Sequence, residues 1–168
     1  MADEHLAPDA FKNRCANASR TLQSCIGYFI DRITLDESHA DDKENTLDVW
    51  LREGPWKPDV VISLSGLRSV RPWDPDLGGA FIDEITLTHL PKLPTPWSVD
   101  AVGRLERTED LPELVWLRII GPVEVDAVAS IVTVYRAPSE DEASVLNDQP
   151  SASVRNNEPP RAITAHPN

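Results

Sequence analysis

Four residues, Val49-Trp50-Leu51-Arg52, recur unchanged as Val115-Trp116-Leu117-Arg118. Each copy leads to a Gly-Pro step, Gly54-Pro55 and Gly121-Pro122, and then to an apolar run, Val60 to Val70 and Val123 to Tyr135. Upstream of each lies a second shared phrase, Phe29-Ile30-Asp31-Arg32-Ile33-Thr34-Leu35 and Phe81-Ile82-Asp83-Glu84-Ile85-Thr86-Leu87, identical at six of seven positions. Phrases recurring in the same order describe a unit written twice. Two units are too few for an open solenoid, so they must close on one another.

The period within the unit is two, which is that of a strand. In the first phrase Phe29, Asp31, Ile33 and Leu35 alternate with Ile30, Arg32 and Thr34. Leu47 to Arg52 reads as the next strand and Val60 to Val70 as the third, with Gly66 marking a bulge where the alternation slips. In the second copy the alternation also slips near Ala127, which reads as one added residue. Between the shared phrases the second copy has 27 residues where the first has 13. The extra length, with three prolines before Trp97 and an apolar-polar stretch from Val99 to Leu105, reads as an insertion over about 88–113 with one additional strand. The expected fold is therefore all-β: an internally duplicated β-sandwich or flattened barrel of six to seven antiparallel strands, residues 25–136. Repeat 1 spans about 29–72 and repeat 2 about 81–136.

The flanks differ from this body. Residues 1–24 carry a thin apolar stripe of Phe11, Cys15 and Leu22 behind Pro8-Asp9, which predicts a short helix with Asp9 as its cap. Residues 137–168 hold five prolines and scattered aliphatics, a composition that buries too little to offset its ordering entropy, so a disordered tail is expected.

Charge excludes some classes of ligand. The chain has 28 acidic and 16 basic residues, a net charge of -12. The tail's five acids and two bases contribute -3, leaving -9 on the rest. Such a balance repels nucleic acid and anionic membranes and suits a basic protein partner. The start of the chain lacks an apolar signal region and no run reaches membrane-span length, so the cytoplasm is the expected location. Cys15 and Cys25, without CxxC spacing or nearby histidine, read as reduced structural thiols. No cofactor or metal site is expected: nucleophile-elbow, phosphate-loop, zinc-protease and dinucleotide signatures are absent. The acidic loop 36–46 lacks the order of a calcium loop and its glycine.

Two features stand out. The repeated charges Asp31 with Arg52, and Asp83 with Arg118, sit in apolar strands where a lone charge is expensive, and so predict two structural ion pairs. Pro-Trp occurs three times, at Trp56, Trp73 and Trp97, in expected loops. The rings either plug the β body or, with Asp74 and Asp76 beside Trp73, form a partner-binding surface, while Trp50 and Trp116 are assigned to the core. Together these give an expectation of a non-enzymatic, acidic protein-binding module resembling small immunity-type inhibitors in charge and size alone. The alternatives are a small-molecule-binding protein or hydrolase with a pocket inside the β body, and an assembly subunit that pairs with copies of itself.

Overall fold

The computed structural model describes residues 9–36, 45–54, 59–71 and 80–137. The expected disordered tail, Trp56, Trp73, Asp74, Asp76 and most of the acidic loop lie outside them. One helix, α1 (Ala10–Gln23), precedes seven strands: β1 (Phe29–Asp36), β2 (Thr46–Arg52), β3 (Val60–Val70), β4 (Ala80–Phe81), β5 (Glu84–Leu90), β6 (Leu114–Ile120) and β7 (Val125–Arg136). They form a single antiparallel sheet in the order β4-β1-β2-β3-β7-β6-β5, curled into a half-barrel. Two three-stranded meanders, β1-β2-β3 and β5-β6-β7, stand back to back, joined by β3 against β7.

The curl is drawn together by residues 80–90. β4 pairs with β1 at one end of the sheet order, while β5 pairs with β6 at the other. Between them Ile82 exchanges hydrogen bonds with Tyr28 and Gly27, and the Asp83 N–H donates to the Ile120 carbonyl. The expected continuous strand from Phe81 to Leu87 is thus broken at Ile82 and Asp83, because this segment changes partner strand there. Gly121 is required at the crossing: a Cβ built there would lie 2.2 Å from the Phe81 carbonyl oxygen.

Two apolar clusters occupy opposite faces of the sheet. The larger lies on the face that α1 covers and holds Val49, Leu51, Ile62, Leu64, Ile85, Leu117, Ile119 and Val125, with Cys15, Leu22 and Cys25 brought in by α1 and the turn after it. Helix α1 packs on β5 and touches β7. Asp9 occupies its N-cap position, but its side chain makes no capping hydrogen bond. The second cluster, Leu90, Trp97, Ala101, Leu114, Trp116 and Val128, forms where residues 91–113 fold over the outer face of the second meander. That insertion contains turns and no strand; the seventh strand is β4 instead.

The alternation slips have one physical origin. Leu64 and Leu67 in β3, and Ala129 and Val132 in β7, all contribute to the larger cluster, although the two residues on each strand are three apart, an odd number. The switch occurs around Gly66, whose φ of 65° turns the strand, with the Ser130 hydroxyl donating to its carbonyl oxygen. No residue is added near Ala127: β6 and β7 pair without a shift from Val115↔Ala129 to Ile119↔Val125. The extra residue is in β3, between Leu67 and Ser69.

Candidate functional site

Of the two expected ion pairs, Asp31 with Arg52 forms at the surface and Asp83 with Arg118 does not form. Asp31 lies at the irregularity between Ile30 and Arg32 in β1, which turns it out of the apolar row to an exposed position. Arg52 approaches it at 3.3 Å and binds Asp59 through Nε and Nη2 at 3.1 and 3.2 Å. With the Arg52 side chain 44% exposed, solvent screens this network and its contribution to stability is small. In the second meander Arg118 meets Glu124 at 3.8 Å, and Asp83 forms no ion pair with it among the described residues. Asp83 falls at the kink between β4 and β5, which carries it away from the Arg118 row.

Trp97 is not a surface anchor. It is 9% exposed, donates from Nε1 to the Pro91 carbonyl at 2.8 Å, and lies under the Arg107 guanidinium, which also bonds the Pro91 and Thr95 carbonyls. The ring holds the insertion closed. Beneath it sits a charged cluster that the repeats did not signal. Asp126, 4% exposed, accepts from Trp116 Nε1 at 3.0 Å, and its other oxygen lies 2.8 Å from Arg104 Nη1. The Arg104 contact is off the hydrogen-bond axis, so it is a charge pair with poor directionality. The guanidinium also stands 5.3 Å from the Trp116 ring centre. A lone aspartate in the apolar run Val125 to Val134 was the available clue.

The first meander repeats the tryptophan but not its cover. Trp50 is half-buried, with Arg32 stacked 4.2 Å from its ring centre. The register lays out three outer-face rows: Arg32, Trp50, Val61, Tyr135; then Thr34, Asp48, Ser63, Thr133; then Asp36, Thr46, Ser65, Ile131. Tyr135 and Ile131 are 44% and 56% exposed. In the middle row Asp48 Oδ1 is shielded from water yet accepts no hydrogen bond, an arrangement that costs free energy until a donor arrives.

A second concave feature lies between α1 and β5, with a cavity volume of about 550 Å³ lined by Lys12, Cys15, Ala16, Ser19, Arg20, Leu87, Thr88 and His89. His89 Nε2 lies 3.6 Å from Glu113 and its ring packs on Phe11. A cysteine and a histidine in one cleft suggest nucleophilic chemistry, but the thiol is the wrong species for it. Burial pushes Cys15 from 9.0 up to about 11, so it stays protonated at neutral pH. Among the described residues no group of three His, Cys, Asp or Glu side chains is placed to hold a metal, and no helix is long and apolar enough to cross a membrane. Compared with known proteins, the chain matches no family model, and no curated sequence is significantly similar to it.

Proposed function

We propose that this chain is a non-enzymatic binding module, built on a duplicated three-stranded unit, that holds a basic protein partner on the outer face of β1, β2, β3 and β7. The observation that carries the reading is the unequal treatment of the two meanders. Residues 91–113 cover Trp116 and its row, whereas no described segment covers Thr34, Asp36, Asp48, Thr133 and Ile131. An incoming arginine or lysine would meet Asp48 and Asp36, and Tyr135 and Ile131 would supply the apolar contact that charge alone lacks. The net charge of -12 draws such a partner from a distance. An immunity-type inhibitor, which occupies a basic protein and blocks it, is one role that fits this profile.

The test is selection of a displayed random peptide library against the intact chain, followed by binding to Asp48→Asn and Tyr135→Ala chains. Enriched peptides should carry arginine or lysine beside an apolar residue. Each substitution should weaken them at least tenfold, about the ratio expected of an interface hot spot. Enrichment without regard to charge, or equal binding to both variants, refutes the assignment of this face.

A further inference from the structure

The geometry points to the groove between α1 and β5 as a site where an extended acidic peptide adds to the sheet as a further strand. This inference is independent of the outer-face reading, since the groove faces different residues. β5 pairs with β6 along one edge. On its other edge the Gln23 side chain donates from Nε2 to the Ile85 carbonyl at 2.8 Å, so the backbone of Ile85 is turned toward α1. Alternate residues of an antiparallel strand send their N–H and C=O groups the same way. Leu87 and His89 therefore also present theirs to the groove, and no backbone hydrogen bond outside the ladder reaches them among the described residues. An unpaired edge beside a helix is the arrangement that strand-adding peptides use.

The opposite wall selects the peptide's charge. Lys12, Cys15, Ala16, Ser19 and Arg20 are spaced by three, four, seven and eight residues and so share one helical face. The helix carries Lys12, Arg14 and Arg20 and no acid, in a chain whose net charge is -12. Lys12 and Arg20, eight residues apart, are separated by roughly 12 Å along the axis at 1.5 Å per residue. Four residues of extended chain span about 13 Å, and residues four apart in a strand point to the same side. Carboxylates at the first and fifth positions of a peptide thus fall opposite the two cations, with an apolar third residue over Cys15, Ala16 and Leu87. Glu113 stands against His89 and opposes an acid at that point, which leaves Lys12 and Arg20 as the anchoring charges.

The full chain, isotopically labelled, is titrated with the capped pentapeptide Glu-Thr-Val-Thr-Glu and with three controls: the same peptide with N-methylated amides, its lysine counterpart Lys-Thr-Val-Thr-Lys, and free glutarate. The expected result is saturable binding that shifts the Leu87 and His89 amide resonances. N-methylation, and the Lys12→Glu and Arg20→Glu substitutions on the exposed helix surface, should each weaken it by about tenfold or more. Unchanged melting of both variants confirms that the loss is local. Equal binding of the N-methylated peptide, the lysine peptide or glutarate, or no saturable binding at millimolar peptide, overturns strand addition.

Discussion

Replacing Asp126 by leucine should be among the most damaging single changes in the described body, and part of the damage should be reversible by a second substitution. Asp126 is 4% exposed and serves two groups, the Trp116 indole at 3.0 Å and Arg104 at 2.8 Å. Leucine removes a charged acceptor from the indole, worth about 1.5–3 kcal/mol, and leaves a guanidinium under the insertion without its counter-charge. Breaking a buried pair by deleting one partner costs about 3–5 kcal/mol. Because Arg104 keeps 18% side-chain exposure and so some hydration, the lower half of that range is expected. Adding Arg104→Met removes the stranded charge and leaves the indole N–H as the remaining penalty, roughly 1–3 kcal/mol. Urea unfolding followed by tryptophan fluorescence, on the wild type, both single variants and the double, gives the coupling directly. A loss below about 1 kcal/mol for Asp126→Leu, or a double variant no more stable than that single one, refutes the view that the cluster is an energetic clasp.

Trp97→Ala should cost about 3–5 kcal/mol and collapse the near-ultraviolet dichroism of the insertion, since the ring is a buried plug; a stable variant with a native spectrum would return Trp97 to the surface. Gly121→Ala should destabilise by about 1–3 kcal/mol, measured by thermal melting, because its Cβ would lie 2.2 Å from the Phe81 carbonyl and neither backbone can yield without opening the crossing. The Cys15 thiol, raised by burial from 9.0 to about 11, binds its proton more tightly in the folded chain. Its contribution to stability is therefore complete below pH 9 and is lost as pH climbs toward 11. Cys15→Ala should flatten that alkaline decline in denaturant midpoints, leaving the part due to Cys25 and Tyr28, whose protons are also held more tightly.

The strand pattern was readable where a strand buries one face, as β2 does, because a period of two records that burial directly. It failed where faces change partners. At Ile82 and Asp83 the chain passes from β1 to β6, and the phrase Phe81 to Leu87 differs from Phe29 to Leu35, which stays within one strand, only at Glu84. At Gly66 the glycine was visible, but an in-register face switch and an added residue leave the same mark in a sequence. The Asp126 pair is hidden in the sequence because Arg104 is 22 residues earlier, in an apolar-polar stretch that folds as turns rather than as the strand its period suggests. The repeated Asp and Arg looked like a buried pair because a strand shows which residues share a face only if it is regular, and Asp31 sits where β1 is not.

The two proposed surfaces answer to opposite charges, and this separates them in solution. Both fields are screened over roughly 8 Å at physiological ionic strength, but an arriving ligand meets the summed charge of the whole surface before it reaches any one side chain. A basic partner approaching the outer face is attracted by the whole chain at -12, so its association rate should fall as salt is added. An acidic peptide is repelled by the same field until it reaches Lys12 and Arg20, and for it added salt screens the repulsion along the approach as well as the contact at the end. Its association rate should rise or hold level while its dissociation quickens. Stopped-flow binding of both ligands across a salt series distinguishes the two sites without any substitution. Parallel slopes for the two association rates would mean that both ligands enter through the same field, which the separation of α1 from the outer rows does not allow.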